Sequence, residues 1–411
     1  MIHYEKFTLE NGLRVILNQD ETTPLVAVNL LYAVGSKDEE EERTGFAHLF
    51  EHLMFSGTKN YPEFDKIIEE KRGETNAFTC NDYTNFYETL PLDALEVALA
   101  LESDRMHNIL ISKKSLLVQQ NVVIEEYKQR YLNQPYGDLW LLLRPLSYKL
   151  HPYKWSTIGK DISHIEKATL DDVEKFYNMY YVPNNAILSI CGNIDFKEVR
   201  LMVEKYFGNI PVGKDIVRKH IVEPLQKEKR ELKVKRDVPQ NAIYITFPMA
   251  SRLKKEYYAA DLLSDILSNG PSSRLYNRLV KEKKLFTQVN ASISGDMDEG
   301  LFILSGRYSD NITFEEGENA LWEELYKIGN DRIEDREFQK VKNKFASTML
   351  FSNLKILERA MNLCYFEFLD SIDRINQEVS LYEALEISLV QDVARKMFLQ
   401  EKSNTLYYEK T

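Results

Sequence analysis

The residues best suited to chemistry lie in one short segment, Gly45–Phe55, which contains His48, Glu51 and His52 in the order His-x-x-Glu-His. Its helical periodicity begins after Gly45. On an α-helix, residues four apart lie one turn apart on the same face. The two imidazoles could therefore converge on one zinc ion, at about 2.0–2.1 Å each. Glu51 would project beside them as a general base, and the residue order matches the inverted zinc-peptidase motif.

The alternative for this segment is an ordinary amphipathic helix whose polar residues are satisfied by the protein. The remaining positions form an apolar stripe that consists of Phe46, Leu49, Phe50, Leu53, Met54 and Phe55. Two histidines and a glutamate within that stripe would be buried without partners, which is costly. The pattern therefore favours a metal site over a structural helix.

A catalytic zinc usually has a third protein ligand and one position open for water. The best candidate is Glu126, in a predicted helix that carries the adjacent carboxylates Glu125 and Glu126. Glu126 lies one turn from Val122 and Val123, which we expect to face inward, so Glu125 would face outward. The alternative is that both glutamates are solvated on the helix surface.

Composition limits the classes of protein that this chain can be. Its 411 residues exceed what one core usually supports, so we expect two domains of roughly 200 residues. The net charge is −11, and no cluster of Lys or Arg is free of neighbouring carboxylates, which argues against nucleic-acid binding. No apolar run approaches the ~20 residues that span a bilayer. Three widely spaced cysteines suit a reducing compartment, so we predict a cytoplasmic protein, or a periplasmic one if a leader has been removed.

Strand and helix patterns alternate along the chain and then restart. The predicted strands of the first half are 7–9, 13–17, 25–32 and 186–191, and its predicted helices are 46–55, 63–71, 93–108, 112–132, 170–180 and 195–207. A stretch rich in Gly, Pro and charge follows. The second half has predicted strands at 241–248, 288–294 and 300–307 and helices at 255–268 and near 272–284. We therefore predict a zinc-binding half at 1–215, a linker at 216–232 and a second, related half at 233–411.

The sequence resembles the pitrilysin/insulinase family of zinc metallopeptidases over nearly its whole length, in particular the zinc-bearing subunit of the mitochondrial processing peptidase and its bacterial relatives. The segments that carry the resemblance, besides the His-x-x-Glu-His segment, are 9–17, 34–39, 55–58, 73–79, 84–87, 151–153, 181–186 and 270–276. The resemblance implies an α+β fold of two homologous α/β-sandwich halves, each a mainly antiparallel sheet packed with helices. Paired with a second two-domain chain, these halves would enclose a chamber.

The resemblance also assigns roles to individual residues. The zinc ligands would be His48, His52 and Glu126. The segment Asn76, Ala77 and Phe78 would form a sheet edge beside the zinc, where an extended peptide adds as a strand without being read for its sequence. An ordinary strand with a surface asparagine is the alternative for this segment.

The sequence departs from the family pattern at two places. Gln119 stands where the family often has a glutamate two turns before the third ligand, so metal tuning is expected to differ. In the second half, Val280 and Thr287 occupy the positions of an Arg and a Tyr that donate to the developing oxyanion. We therefore expect a homologous partner chain to supply that pair, with a homodimer forming when the chain is alone; compensation by Arg278 is the alternative.

Together these patterns predict a zinc-dependent endopeptidase subunit that hydrolyses unfolded peptides, with Zn²⁺ as its cofactor and Glu51 as its base. The alternative from another class is a non-catalytic structural subunit of a larger complex. Relatives of that kind have an eroded zinc motif, whereas His48, Glu51, His52 and Glu126 are all present here.

Overall fold

The structure is a computed structural model that describes residues 1–411. Its strands and helices follow in the order β1 (Glu5–Thr8), β2 (Arg14–Gln19), β3 (Leu25–Tyr32), α1 (Phe46–Leu53), α2 (Phe64–Glu70), β4 (Glu74–Thr79), β5 (Thr84–Pro91), α3 (Leu95–His107), α4 (Lys113–Tyr127), α5 (Leu139–Ser147), α6 (Ser163–Glu166), α7 (Leu170–Tyr180), β6 (Ala186–Gly192), α8 (Phe196–Phe207), β7 (Arg230–Arg236), β8 (Ala242–Pro248), α9 (Lys255–Ser268), β9 (Phe286–Ile293), β10 (Leu301–Tyr308), α10 (Phe314–Asn330), α11 (Asp335–Ser352), α12 (Ile356–Leu369), α13 (Arg374–Glu383), α14 (Ile387–Met397) and β11 (Asn404–Lys410). None of these helices combines the length and apolar character needed to cross a membrane.

Two predicted helices contain turns of π-helix. The helix expected over 112–132 is α-helical only to Tyr127 and continues as a π-helical turn over Lys128–Leu132. The helix expected near 272–284 is a π-helical segment, Tyr276–Glu282, where the Lys283 N–H donates to the Arg278 carbonyl five residues back at 2.9 Å. Such wider turns are rare, and apolar periodicity alone does not distinguish them from an α-helix.

The chain forms two units, each assembled from three stretches of sequence. The first unit comprises Met1–Lys128, Trp155–His220 and Met349–Gln377, and the second comprises Gln129–Lys154, Ile221–Thr348 and Glu378–Thr411. Each unit contains one sheet. The sheet of the first unit has the strand order β1-β2-β6-β3-β5-β4, and that of the second has the order β7-β11-β8-β10-β9.

The two sheets share one topology. β1 extends the first sheet and is left out of the comparison. When the other five strands of each sheet are numbered along the chain, they lie side by side in the order first, fifth, second, fourth, third. In both, only the first and fifth strands are parallel, and the other neighbours are antiparallel. The predicted α+β fold of two homologous, mainly antiparallel halves is thus confirmed. β4 and β9 are equivalent edge strands.

The division of the chain differs from the predicted domains 1–215 and 233–411 because two helices pack outside their own half of the sequence. In the second unit, α5 lies on that unit's sheet, where Ser147 Oγ and Thr246 Oγ1 are 2.7 Å apart. In the first unit, α12 packs on β3 and β6, and Cys364 Sγ lies 3.4 Å from the Ile187 carbonyl oxygen. In addition, β7 begins at Arg230, inside the predicted linker 216–232.

Candidate metal centre

The helix that carries the histidines begins at a conformation that few residues other than glycine adopt. Gly45 precedes α1 with φ of +89°, and a Cβ there would lie 2.8 Å from the Ile158 carbonyl oxygen. The buried carboxylate of Glu39 then accepts hydrogen bonds from the N–H groups of Gly45 and Ala47, at 2.9 and 2.8 Å. Burial raises the pKa of Glu39 to about 8, and these backbone donors offset part of that rise. α1 is therefore anchored at its first turn.

The apolar side of α1 holds the helix against the first unit's core. Phe46, Leu49, Phe50 and Leu53 are all at most 4% exposed. The Phe50 ring stacks on Tyr181 at a centroid distance of 5.1 Å. The opposite side presents the two histidine rings, whose centroids are 4.8 Å apart and nearly perpendicular. Packing on one side thus leaves the other for polar side chains.

Three side chains from two helices converge beside α1. His48 and His52 of α1 and Glu126 of α4 each offer one ligand atom, and these atoms all lie within 4.8 Å of one another. The Glu126 Oε2 atom is 3.3 Å from His52 Nε2 and 3.7 Å from His48 Nε2. The three side chains are between 12% and 24% exposed, so the group is shielded but reachable.

The donor set and its spacing fit a zinc ion. Zinc in proteins is bound by imidazole nitrogen and carboxylate oxygen, with bonds of about 2.0–2.2 Å in a tetrahedral arrangement. Such bonds place two ligand atoms about 3.4 Å apart, which lies between the separations of 3.3 and 3.7 Å from Glu126 to the two histidines. With three protein donors, a tetrahedral ion keeps one position open, as in catalytic rather than structural zinc sites.

Glu51 lies beside the three converging residues and is held by an edge strand. Thr79, the last residue of β4, donates its hydroxyl to Glu51 Oε2 at 2.6 Å. Partial burial and, secondarily, the charge of Glu51 raise the pKa of Tyr87, which pairs with Asn76 across β4 and β5. Neither Thr79 nor Tyr87 was among the predicted site residues. Their signal was present, since both lie in segments that carry the family resemblance.

The two neighbouring glutamates of α4 differ in exposure, as expected for adjacent residues on different faces of a helix. The Glu126 side chain is 16% exposed, whereas that of Glu125 is 60% exposed and pairs with Lys128 at 2.7 Å. One detail of the prediction is wrong: Val122 does not face inward but is 42% exposed, and only Val123 is fully buried. The inward face is therefore narrower than expected, and Glu126 lies at its margin.

Gln119 and the edge strand lie near this group in the fold. Gln119 Nε2 donates to Ser56 Oγ at 3.2 Å, so the residue two turns before Glu126 ties α4 to the segment after α1. β4 contains Asn76, Ala77 and Phe78 and pairs only with β5. The Ala77 N–H donates to Asn76 Oδ1 at 2.8 Å. The strand edge is thus covered at Ala77 by the side chain of the preceding residue.

The second unit places apolar or neutral groups at the two positions where the family pattern has Arg and Tyr. Val280 packs against the second unit's hydrophobic core. The Thr287 hydroxyl lies 3.1 Å from Gln240 Oε1. Arg278, the alternative donor, forms ion pairs with Glu282 and, at 3.7 Å, with Glu324. Its guanidinium is therefore engaged within the second unit.

Comparison with known proteins places this architecture in a family. Residues 14–137 match the family model described as Insulinase (Peptidase family M16), and residues 167–345 match the one described as Peptidase M16 inactive domain. The zinc protease PqqE of Helicobacter pylori is 29% identical over 412 residues, which cover 98% of this chain and 92% of that protein. The uncharacterized zinc protease YmxG of Bacillus subtilis is 24% identical, over 97% of this chain and 96% of its own length.

The solved structures agree with these sequence matches. The crystal structure of a protease from Helicobacter pylori is similar over 100% of both chains, with a TM-score of 0.94 at 28% identity. The resemblance stated from sequence motifs is thereby confirmed, and the chain belongs to the insulinase family of peptidases, family M16.

Proposed function

We propose that this chain is a zinc-dependent endopeptidase of the inverted His-x-x-Glu-His type. The observation that carries the proposal is the convergence of His48, His52 and Glu126 within 4.8 Å, with Glu51 beside them. Two relatives with coverage above 90% are named zinc proteases, which supports the same conclusion. Zinc held by the three ligands would supply Lewis-acid activation of the attacking water and the scissile carbonyl.

The protein's own residues would perform the remaining steps. Glu51 takes the proton of the attacking water and later returns it to the leaving amine, which is the task of a general base that becomes a general acid. The Thr79 hydroxyl, 2.6 Å from Glu51 Oε2, holds that carboxylate in position. Because Glu51 lies between the two histidines in sequence but is not among the three converging ligands, its role is separate from metal binding.

We place the substrate along the edge of β4, at Asn76, Ala77 and Phe78. This strand is the last of its sheet and its far end carries Thr79, the partner of Glu51. An extended peptide added there would bond through its backbone, which suits unfolded segments of varied sequence. Rotation of the Asn76 side chain would release the Ala77 N–H for a substrate carbonyl.

The chain would supply only one part of a complete site. Val280 and Thr287 offer neither a guanidinium nor a phenol for the developing oxyanion, and Arg278 is held by two glutamates. We therefore propose that a homologous chain carrying the Arg/Tyr pair joins it as a heterodimer that encloses the site, and that the chain alone forms a homodimer of low activity. A cytoplasmic location stays a prediction. It rests on the three cysteines, all of which are free thiols.

The competing function is a structural subunit without catalysis. The description of the model that matches residues 167–345, an inactive domain, concerns the part of the chain that contains Val280 and Thr287. It does not extend to His48, Glu51, His52 and Glu126, which lie within the residues matched by the insulinase model. A structural subunit has no need of three converging ligands with Glu51 next to them on α1.

The test measures metal and hydrolysis in the same preparations. We expect about one zinc per chain by elemental analysis, and cleavage of a quenched unstructured peptide that increases on adding the partner chain. Glu51→Gln should retain zinc yet lose hydrolysis, whereas His48→Ala should lose both. Glu125→Gln, one residue from a ligand but exposed, is the matched control. Loss of zinc in Glu51→Gln as complete as in His48→Ala would refute the assignment of roles, and absence of zinc from the wild type would favour the structural subunit.

A further inference from the structure

A cavity of about 640 Å³ opens beside the proposed catalytic residues in the first unit. Glu51 and His52 line one side of it, and Thr75 and Asn76 of β4 line another. A peptide bonded along β4, with its scissile bond at Glu51, would therefore direct a neighbouring side chain into this cavity. The chemistry of the cavity should select that side chain.

The floor of the cavity is apolar and firmly supported. It is lined by the Phe55 ring and by Ile68, which is fully buried. Behind it, the guanidinium of Arg105 lies 5.3 Å from the Phe55 ring centroid and 4.4 Å from that of Phe64. Arg105 is itself fully buried and paired with Glu88 and Glu102. The Phe55 ring, which is only partly buried, can pack against the methylene groups of a long side chain, and Ile68 supports the floor from behind.

The rim of the cavity is acidic. Asp65, Glu69 and Glu74 all line it, and no lysine or arginine is among the lining residues. Partial burial raises the pKa of Asp65; nearby Arg105 opposes that rise, and the negative charge of Glu69 adds to it. Since Arg105 is already committed to two carboxylates, the rim retains an excess of negative charge.

We infer that this cavity binds a lysine or arginine side chain of the substrate at one of the positions that flank the scissile bond. The aliphatic stem lies on Phe55, and the cationic end reaches Asp65, Glu69 and Glu74. This inference rests on the proposed function and adds to it a preference in substrate choice. The β4 edge binds the peptide through backbone hydrogen bonds, which do not depend on its sequence, so selectivity for sequence comes from the cavity.

The first experiment measures binding without turnover. The zinc-loaded Glu51→Gln protein is titrated with fluorescent peptides that share one cleavage site and differ only at either flanking position, which holds Lys, Arg, norleucine or Glu. We expect Lys and Arg at one flanking position to lower Kd by about tenfold relative to norleucine, with an advantage that shrinks as salt rises. Norleucine keeps the stem and removes the charge, so the ratio isolates the acidic rim.

The second experiment assigns the preference to the rim. Glu69→Gln should reduce the Lys-to-norleucine ratio of Kd values several-fold, and Glu69→Lys should favour the Glu peptide. Glu70→Gln is the matched control, since Glu70 is the next residue of α2 and is exposed but does not line the cavity. Equal binding of all peptides, or an equal effect of Glu70→Gln and Glu69→Gln, would overturn the inference. Either result would leave zinc content and hydrolysis intact, whereas failure of the proposed function would abolish those.

Discussion

The equivalent edges of the two sheets have different surroundings. In the first unit, α1 turns histidines and Glu51 towards the side on which β4 ends, and Thr79 of β4 bonds to Glu51. In the second unit, the equivalent helix α9 packs on the equivalent strand β9 with buried Tyr257, Leu262 and Ile266 among its residues. One topology therefore supports a polar site in one unit and an apolar core in the other.

The edges of β4 and β9 also differ in the groups that cover their backbone. Ser268, the last residue of α9, accepts a hydrogen bond from the Ala291 N–H at 2.7 Å and donates to the Ala291 carbonyl at 2.9 Å. That hydroxyl occupies both backbone groups of one residue of β9. On β4, the Ala77 N–H is covered only by the neighbouring Asn76 side chain. At Ala291 the second edge is capped by the last residue of a helix, whereas at Ala77 the first edge is capped by a side chain of its own strand.

The shared topology is therefore compatible with two different kinds of corner, and only the first unit places a group of histidine and carboxylate side chains there. Both sheets keep the same strand order and the same single parallel pair. What differs between the units is the set of side chains that α1 and α4 present and the group that covers the edge strand, and the proposed function depends on these. Substitutions in one unit, with the other unit or a neighbouring residue as control, test this difference.

The largest expected effect is at the proposed third ligand. Glu126→Gln removes the charged donor that lies 3.3 Å from His52 Nε2, so we expect zinc affinity to fall by at least about 10²-fold and hydrolysis to be lost. Glu125→Gln should change both by less than about twofold, because its 60% exposed side chain pairs only at the surface. Zinc titration with a competing chelator measures both variants. The reverse ranking would shift the register of α4 by one residue.

A second comparison uses the buried arginine of each unit. Arg105 of the first unit pairs with Glu88 and Glu102, and Arg252 of the second pairs with Glu378. Replacing either by Met leaves buried carboxylates without their partner, which costs about 3–5 kcal/mol of unfolding free energy. Denaturant unfolding measures that loss.

Only one of these substitutions should also weaken zinc binding. The Arg105 guanidinium lies 5.3 Å from the centroid of the Phe55 ring, which follows His52 by three residues. Arg105→Met should therefore weaken zinc binding as well as stability, while Arg252→Met should lower stability alone. Equal weakening of zinc binding by both variants would show that the two units are not independent in this respect.

The third prediction concerns the missing oxyanion donors. A homologous chain with the Arg/Tyr pair should raise the rate of peptide hydrolysis by about 10²–10³, the usual contribution of such donors. Arg278→Ala should leave the rate of the isolated chain unchanged within about twofold, since the ion pairs of Arg278 are with Glu282 and Glu324 of its own unit. Full activity of the isolated chain that disappears in Arg278→Ala would show that no partner is needed.

Local patterns predicted much of this molecule, while long-range packing was beyond them. The strand Leu25–Tyr32 and the helix Lys255–Ser268 have the predicted bounds, because alternation and helical periodicity are properties of contiguous residues. The placements of α5 and α12 were not predicted, because each covers a sheet built mainly from the other half of the sequence. No spacing rule encodes that exchange.

The candidate site likewise has contacts that the sequence predicted and contacts that it did not. His48 and His52 are one turn apart in sequence, so their convergence followed from helix geometry. The support of Glu51 by Thr79 comes from a residue 28 positions away, and that of α1 by the buried Glu39 carboxylate depends on the path of a loop. Those contacts exist only once the sheet has formed, so composition and periodicity carry no sign of them.

The smallest expected effects test the two edges directly. Asn76→Ala removes the side chain that covers the Ala77 N–H on β4, and Ser268→Ala removes the hydroxyl that occupies both backbone groups of Ala291 on β9. If β4 alone receives the substrate, Asn76→Ala should raise kcat/KM by about three- to tenfold, the equivalent of roughly one hydrogen bond, because the Ala77 N–H is then uncovered. Ser268→Ala should leave kcat/KM unchanged and lower the unfolding free energy by about 1–3 kcal/mol, because it leaves buried backbone groups unsatisfied. Peptide hydrolysis and denaturant unfolding of the same two preparations measure both quantities. A change in kcat/KM for Ser268→Ala as large as that for Asn76→Ala would mean that opening either edge affects substrate, and the functional distinction between β4 and β9 would fall.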